Sequence, residues 1–369
     1  MSALPKLVGA PLAGPREDVA LVLLGTGVVG GAFLRLLASA RAGIRLVGIA
    51  NSSRQFADAG GFAAETAWAL LAEATPGRND EALLEALDES AAARCVVVDA
   101  TASPTTAARH ADWLARGYAV VTANKIAASA SSHAWHALRR ECDRGAYGDA
   151  ATVGAGLPVL ATLRRLRACG DALVALEGVF SGSLSWLFNQ YDGTRPFSSL
   201  LREARAWGYT EPDPRADLGG ADVARKLVIL ARAAGHEIDV DDVAVESLVP
   251  ASLAGVDVEA FLARAGEIDA AIAERHAAAS AHGYRLRHLA TFDANGRAHV
   301  GLVAVGADHP AARLAGTDNL FALTTGRYRT RPLVIQGPGA GAELTAQAVF
   351  GDLVALAPAI TGAAPRYRR

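Results

Sequence analysis

The feature that most constrains this chain is a buried-strand pattern that runs directly into a glycine-rich turn. Residues 19–25 read VALVLLG, the turn reads GTGVVG (25–30), and a helical pattern follows. In a GxGxxG turn, the first glycine allows the tight bend, the second lets backbone approach a diphosphate, and the third lets helix and strand pack closely. We therefore predict that Gly25, Gly27 and Gly30 bind a dinucleotide at the helix N-terminus. The alternative is a glycine-rich turn without a ligand.

The first half of the chain alternates between apolar runs and helical patterns. The runs lack polar alternation, which is typical of parallel strands buried on both faces, and they span 19–25, 44–50, 94–100 and 118–124. The helical patterns lie around 30–42, 62–74, 80–91, 104–116 and 131–144. This order predicts a Rossmann-type, doubly wound α/β nucleotide-binding domain over 18–150. We expect a last helical pattern to return to it, so that 337–369 belongs to the same domain.

The second half of the chain mixes strands and helices without strict alternation. A strand pattern covers 171–180, and helical patterns lie near 183–191, 198–207, 221–234 and 257–282. A hairpin with its turn at 293–296 follows, and 319–325 with 331–337 form another antiparallel pair. We predict an α+β substrate and dimerisation domain with a mixed sheet over 151–336.

Composition excludes several classes of protein. The 369 residues suffice for two domains, and 51% hydrophobic residues with a net charge of -2 argue against disorder and against a nucleic-acid partner. The three cysteines lack CxxC spacing, so we expect neither disulfides nor structural zinc, and a reducing cytoplasm fits best. No apolar run is long enough for a membrane helix. Residues 1–17 contain three prolines and are expected to form a loose arm.

The segment after the second strand bears on which nicotinamide cofactor binds. An NAD site usually carries Asp or Glu there, whereas this chain reads Asn-Ser-Ser-Arg at 51–54. Without a carboxylate, and with Ser52 and Arg54 available for a 2′-phosphate, we predict NADP over NAD. The alternative is that Arg54 is a solvated loop residue.

Two other segments lie where parallel strands end, at the edge where open α/β sheets bind ligands. Thr101 follows the third strand, and Lys125 follows the fourth, where its ammonium can contact a substrate oxygen. Taken alone, Lys125 reads equally as an exposed turn residue. The glycine-rich loop TVGAGLP (152–158) exposes backbone groups that can hold a small ion or support the cofactor, although it also reads as a simple hinge.

The most unusual segment is GYTEPDPRADLGGADVARK (208–226), which gathers four carboxylates and three cations. Its two prolines keep the loop 211–214 extended, and a helix follows over 221–234. Asp222 and Lys226 are four residues apart, so they lie on the same side of that helix. Their simplest interpretation is an exposed ion pair. The proline-stiffened acidic loop that leads into them favours a site instead.

Together these motifs resemble those of homoserine dehydrogenase. The resemblance covers about 19–358 and is carried by GTGVVG, TANK, TVGAGLP, VFSGSLSWLFN, the segment 208–226, RPLVIQGPGAGAELTA and FGDL. It implies NAD(P)-dependent interconversion of L-homoserine and L-aspartate 4-semialdehyde, in threonine, methionine and isoleucine biosynthesis. It also implies a homodimer formed through the substrate domain, with the C-terminal helix packed on the nucleotide domain.

The resemblance also implies roles for individual residues. Lys226 would be the acid/base and Lys125 the second active-site lysine. The substrate would be bound by Glu211 and Asp222, with Asp217 close by and Ser183 where a threonine is usual. The cofactor would be lined by Gly25, Gly27, Val28, Val29, Gly30, Thr101, Lys125, Gly208 and Gly341.

A sodium ion is a further implication of the resemblance. Its ligands would be the backbone oxygens of Val153, Ala155 and Leu157, but Ala150 stands where ion-binding members carry Glu. Because neither an aspartokinase nor a C-terminal regulatory segment is recognisable, threonine feedback through such a domain is not expected. Aspartate-semialdehyde dehydrogenase is disfavoured since no cysteine lies in a site-like context. A catalytically silent NADP-binding protein of the same fold is the alternative.

Overall fold

The computed structural model describes residues 19–39, 43–142 and 146–356, arranged around two sheets. The predicted arm at 1–17 and the chain beyond 356 lie outside the described residues. In the first part, the strands are β1 Val19–Leu24, β2 Ile44–Ala50, β3 Gln55–Phe62, β4 Arg94–Asp99, β5 Ala119–Thr122 and β6 Tyr147–Gly148. The helices are α1 Val28–Ser39, α2 Ala67–Glu73, α3 Asp80–Glu89, α4 Pro104–Ala107, α5 His110–Ala115, α6 Lys125–Ala128 and α7 Ser132–Cys142.

The first sheet has the strand order β3-β2-β1-β4-β5-β6. All of its pairs are parallel except β2 with β3. Every residue of β1 is buried, and alternate side chains enter apolar clusters on opposite faces of the sheet. The predicted doubly wound fold is therefore confirmed. The antiparallel strand β3 was not predicted, and it shortens the helix expected at 62–74 to α2.

The second part contains the remaining elements. Its strands are β7 Leu173–Val179, β8 Val243–Val245, β9 Arg285–Asp293, β10 Ala298–Val305, β11 Asp318–Thr325 and β12 Leu333–Pro338. Its helices are α8 Val159–Ala168, α9 Gly182–Gln190, α10 Phe197–Ala206, α11 Arg215–Leu218, α12 Ala221–Ala234, α13 Val258–Arg264 and α14 Asp269–Ser280, followed by α15 Ala342–Leu356. Short 3₁₀ turns lie at Ala150–Thr152, Val240–Asp242, Ala251–Leu253, Ala265–Ile268 and Pro310–Arg313.

The second sheet has the order β12-β11-β7-β9-β10-β8, and only the β8 pair with β10 is parallel. This confirms a mixed sheet. Helices α9, α10 and α12 supply much of the large core on one of its faces. The continuous helix expected at 257–282 is divided into α13, a 3₁₀ turn and α14, so that expectation was wrong.

The C-terminal helix α15 packs against α1 of the first part, where the rings of Phe33 and Phe350 are 6.2 Å apart. Its apolar residues Ala346, Val349 and Leu353 are fully buried in one of the two cores of the first sheet. The chain therefore leaves the first sheet near residue 150 and contacts it again through α15. Across the described ranges, no helix has the length and apolar character that would let it span a membrane.

Candidate active site

The glycine turn between β1 and α1 has two positions that only glycine fits. Gly25 has φ +93°, and its N–H donates to the Ala50 carbonyl at 2.8 Å. A Cβ added to Gly30 would lie 1.9 Å from the Gly25 oxygen, so the third glycine permits helix and turn to touch. Because α1 begins at Val28, the first N–H groups of that helix are available to an anion.

A cleft of about 1040 Å³ opens beside this turn at the carboxyl edge of the first sheet. It is lined by residues 25–27, 51–52, 78–81, 100–103, 105–106 and 109. Of the predicted cofactor residues, the cleft contains Gly25, Gly27, Ser52 and Thr101. Val28 lies next to it in the first turn of α1 with 79% of its surface exposed.

Six other predicted cofactor residues do not line the cleft. Val29 and Gly30 follow Val28 in α1, Lys125 begins α6, and the remaining three lie elsewhere. Gly208 follows α10 with φ +72° and Gly341 precedes α15 with φ +117°, and neither lines the cleft. The Arg54 guanidinium donates to the carbonyls of Ala72 and Ala74, which ties the start of β3 to the end of α2. Arg54 is therefore absent from the wall of the cleft, which was not expected.

Two arginines that sequence reasoning missed occupy that wall instead. Arg78 pairs with Asp80 at 2.6 Å, and Arg109 pairs with Glu81 at 2.6 Å. Neither arginine follows a strand directly, so the usual rule about strand ends does not find them. For Arg78, the signal in the sequence that could have placed it was Asn79. This residue caps α3 by accepting from the Glu81 N–H, and it thereby fixes Arg78 just outside the helix.

A buried network of polar groups lies under the edge of the first sheet. Asp99 is fully buried, and its Oδ1 accepts from the backbone N–H and the hydroxyl of Thr101 at 2.8 and 2.7 Å. Its Oδ2 lies 2.9 Å from His110 Nε2 and accepts from Asn124 Nδ2 at 3.0 Å. Asn124 in turn caps α6 through Ile126 N–H. The network therefore fixes Thr101 together with the helix start that carries Lys125.

The predicted ion pair is part of a three-residue cluster. Lys226 Nζ lies 2.8 Å from Asp222 Oδ2, and Lys125 Nζ lies 3.6 Å from the other oxygen of the same carboxylate. Burial alone would raise the pKa of Asp222, but the two lysines outweigh it and lower that pKa to about 2. Asp222 is thus a carboxylate between two ammonium groups, and it joins α12 of the second part to α6 of the first.

Lys226 is the more enclosed lysine of the two. Its side chain is 12% exposed, compared with 34% for Lys125. Besides the ion pair, Lys226 Nζ donates to the Phe180 carbonyl at 2.8 Å. The same carbonyl accepts from Asn319 Nδ2 at 3.2 Å. The position of the Lys226 ammonium is therefore fixed from two directions.

The acidic loop before α12 is held by Asp217. Its Oδ1 accepts from the Ser183 hydroxyl at 2.6 Å, and its Oδ2 accepts from the Glu211 N–H at 2.9 Å. Burial raises the pKa of Asp217. The Glu211 residue is exposed. The structure thus brings Ser183, Asp217 and the Glu211 backbone together, while the residue Glu211 itself is exposed.

The loop itself follows the sequence prediction in part. Residues 211–214 are not helical, as the prolines require, but α11 forms at 215–218 and was not predicted. Arg215 stabilises it by pairing with Asp213 at 2.7 Å and donating to the carbonyls of Leu253, Ala254 and Val256. Gly220, with φ +74°, then allows the turn into α12.

The predicted sodium ligands lie in the connection between the two parts. Ala155 has φ +51°, Val153 and Ala155 are buried, and Leu157 N–H donates to the Gly154 carbonyl at 2.9 Å. The Ala150 N–H donates to Asp352 Oδ2 at 2.8 Å, and burial raises the pKa of Asp352 to about 6. Within the described ranges, no three His, Cys, Asp or Glu side chains are grouped as metal ligands. The ion site stays a prediction.

Comparison with known families gives two matches that together cover most of the chain. The family "Homoserine dehydrogenase, NAD binding domain" matches residues 25–145, and the family "Homoserine dehydrogenase" matches residues 158–354. The boundary between these matches coincides with the connection between the two sheets.

Individual relatives agree with these matches. A bifunctional aspartokinase/homoserine dehydrogenase 2 of Escherichia coli is 42% identical over 92% of this chain, which spans only 43% of that relative. A homoserine dehydrogenase of Emericella nidulans is 37% identical over 90% of this chain and 97% of its own length. A solved structure of a Candida auris protein of unknown function is 34% identical with a TM-score of 0.86, and the match covers 93% of this chain and 99% of that one.

Proposed function

The chain belongs to the homoserine dehydrogenase family, and from that premise we propose that it interconverts L-homoserine and L-aspartate 4-semialdehyde with NAD(P). The reaction would serve threonine, methionine and isoleucine biosynthesis. The observation that carries the proposal is the Asp222 carboxylate between Lys226 and Lys125, which joins the substrate part to the nucleotide part.

The cleft beside the glycine turn fits a dinucleotide. Its volume of about 1040 Å³ is sufficient, and the absence of side chains at Gly25 and Gly27 leaves backbone open to a diphosphate at the start of α1. The exposed Val28 side chain offers an apolar surface beside it. The chemistry that the cofactor supplies when bound is hydride transfer.

We propose NADP rather than NAD as the preferred cofactor. Asn51, which follows β2, uses its side-chain oxygen to accept from the N–H groups of Ser53 and Arg54 at 2.8 and 2.7 Å, so the residue directly after β2 offers no carboxylate to a ribose diol. The carboxylates of Asp80 and Glu81, which do line the cleft, are paired with Arg78 and Arg109. Arg78 uses Nε and Nη2 for Asp80, which leaves Nη1 for a phosphate oxygen. Arg78 thus replaces Arg54 in the proposed recognition of a 2′-phosphate.

Lys226 is proposed as the proton donor and acceptor. In the reducing direction its ammonium donates to the aldehyde oxygen, and in the oxidising direction the neutral amine accepts the hydroxyl proton of homoserine. Asp222 and the Phe180 carbonyl orient Nζ for both steps. Lys125, on the other side of Asp222, would stabilise negative charge on the same substrate oxygen.

Substrate recognition is assigned to the acidic loop. Glu211 is exposed, so its carboxylate is free to turn toward a substrate ammonium group, while its backbone is fixed by Asp217. Ser183 holds Asp217 in turn. This arrangement supports a pocket in which the amino group is bound by carboxylates and the hydroxyl faces the lysines.

We further propose a homodimer and a cytoplasmic location. The dimer follows from the family resemblance, and β12 supports it because that strand ends the second sheet with Val334 40% exposed. The chain has three cysteines without CxxC spacing, which fits a reducing compartment. A sedimentation measurement that yields only monomer would contradict the dimer.

The decisive experiment follows oxidation of NADPH and of NADH separately, with L-aspartate 4-semialdehyde as substrate. We expect turnover with both cofactors and a higher kcat/KM with NADPH. Turnover that favours NADH would refute the cofactor preference alone. If the purified chain binds NADPH but neither cofactor is oxidised, the chain is a silent cofactor-binding protein.

A further inference from the structure

A second cavity, of about 290 Å³, lies between the two parts of the molecule and away from the nucleotide cleft. Its walls come from α7 of the first part, from α8 and the C-terminal end of α12 of the second part, and from Asp149 in the connection between them. The cavity is far smaller than the nucleotide cleft and is too small for a dinucleotide. A ligand here would contact both parts at once.

The walls carry an excess of positive charge. Four arginine guanidinium groups line the cavity, against two carboxylates. Two of the arginines are engaged, since Arg164 pairs with Asp149 at 2.6 Å and Arg232 pairs with Asp239 at 2.6 Å. When Asp239, which pairs with Arg232 from outside the lining, is also counted, the cavity has one cation more than it has carboxylates, which suits an anion.

The other two arginines supply the free donors. Arg139 on α7 lies over the Trp135 ring at 5.8 Å, and Arg167 lies at the end of α8. Among the residues that the structure describes, neither side chain forms an ion pair. Both are exposed, so their guanidinium groups can turn toward a ligand without loss of an ion pair, and Arg139 gives up only its contact with the Trp135 ring. One comes from each part of the molecule.

Asp149 indicates a second property of the ligand. Its side chain is 1% exposed, and Oδ2 is bound by Arg164. Its other oxygen, Oδ1, is buried and has no hydrogen-bond partner in the described structure. Because a buried acceptor without a donor is costly, we expect the ligand to bring a hydrogen-bond donor, toward which the Asp149 side chain turns so that Oδ1 becomes accessible.

We propose that this cavity binds a small phosphate anion that also carries a donor group, either hydrogen phosphate or a small phosphate monoester. Its oxygens bind Arg139 and Arg167, and its donor group binds Asp149 Oδ1. The proposal does not depend on the dehydrogenase activity.

The expected effect of the ligand is to hold the two parts together. Arg232 of α12 already crosses between them, because its Nη1 donates to the carbonyls of Ala128 and Ala130 at 3.0 and 2.8 Å. The same helix carries Asp222 and Lys226 near its other end. An anion at this cavity adds a second link at the end of the helix that is remote from the catalytic cluster.

The test is calorimetric titration of the full chain with inorganic phosphate, and separately with phosphoserine as a monoester that carries an ammonium group. NADPH is present at saturation so that phosphate cannot report on the nucleotide cleft. We expect binding in the millimolar range or tighter. The ligand that binds more tightly identifies the source of the phosphate.

Matched variants locate the site. The double variant Arg139→Gln with Arg167→Gln is expected to lose affinity by at least about tenfold. The control is Arg140→Gln with Arg165→Gln, on the same two helices but outside the cavity lining, and it should bind as the unmodified chain does. Absence of binding to the unmodified chain, or equal binding by the two double variants, would overturn the proposal. If the first double variant is unstable, Arg167→Gln alone gives the same comparison.

Discussion

Replacement of Lys226 by Met tests the proposed proton transfer while most of the packing is kept. The methionine side chain fills the same buried path but has no ammonium group. If Lys226 is the acid/base, kcat should fall by about 10²–10⁴-fold, since groups of this kind contribute that much. This corresponds to roughly 3–5 kcal/mol of the activation free energy.

The structure indicates that the same change has a smaller effect on folding. The Phe180 carbonyl keeps its hydrogen bond from Asn319, and Asp222 keeps Lys125 at 3.6 Å, so neither acceptor is left without a partner. One hydrogen bond and one partly exposed ion pair are lost. Each is worth about 1 kcal/mol or less, so the free energy of unfolding should fall by about 1–2 kcal/mol. A typical domain remains folded after such a loss.

Three measurements separate the two effects. Steady-state kinetics give kcat, NADPH fluorescence titration gives cofactor affinity, and urea unfolding gives stability. Cofactor affinity should change little because Lys226 does not line the nucleotide cleft. Lys226→Arg is the matched control, because it retains the positive charge but cannot release its proton at neutral pH.

Lys125→Met completes the comparison. The Lys125 side chain is 34% exposed, and its only ion pair in the described structure is with Asp222. Replacement of Lys125 should therefore lower kcat less than replacement of Lys226 does. The proposed role of Lys226 is refuted if Lys226→Met retains kcat within about threefold of the unmodified chain, well below the acid/base range. It is also refuted if Lys226→Arg restores turnover, because charge rather than proton transfer would then be sufficient.

Further predictions concern the turn, the cofactor and the pH dependence of folding. Gly30→Ala should destabilise the chain, since its Cβ would lie 1.9 Å from the Gly25 oxygen. Gly27→Ala should fold normally and lose only NADPH affinity, since its Cβ would have no atom within 4 Å, and equal melting temperatures of the two variants would contradict this. Arg78→Gln should raise the KM for NADPH by about tenfold with little effect on NADH, and the same change at Arg54 should alter neither; equal effects on both cofactors would exclude a 2′-phosphate contact. Burial raises the pKa of Asp352 from 3.8 to about 6, so its favourable contribution to stability is complete below pH 3.8 and is lost as pH rises through 6. Asp352→Asn should therefore be more stable than the unmodified chain at pH 8, by up to about 3 kcal/mol in urea unfolding, and this difference should vanish near pH 4.

The elements that could be predicted from sequence are those whose signals are local. Continuous apolar runs indicated the buried parallel strands, and α12 was predicted with the bounds that it has, its end being indicated by Gly235. The strand β3 was missed because QFADAGGF has neither an apolar run nor regular alternation, and its pairing with β2 is what makes it a strand. The break between α13 and α14 was missed as well, because no proline lies there to indicate it.

The contacts within the site also divide into local ones, which could be predicted, and long-range ones, which could not. The approach of Asp222 to Lys226 follows from the i,i+4 spacing on one helix, so it was predictable. The approach of Lys125 to Asp222 joins residues 97 positions apart and depends on how the two parts dock. The network around Asp99 likewise joins residues from separate elements, so no spacing rule could have identified His110 as its partner.

The packing of α15 on α1 has a consequence for synthesis of the protein. The core on one face of the first sheet is complete only when Ala346, Val349 and Leu353 are in place. These residues are translated after every strand of the second sheet. Although N-terminal domains generally fold first on the ribosome, this one must wait with an open apolar surface until the substrate part has emerged. The core of the first part is therefore completed last, and chaperone contact during translation is expected at the face that α15 finally covers.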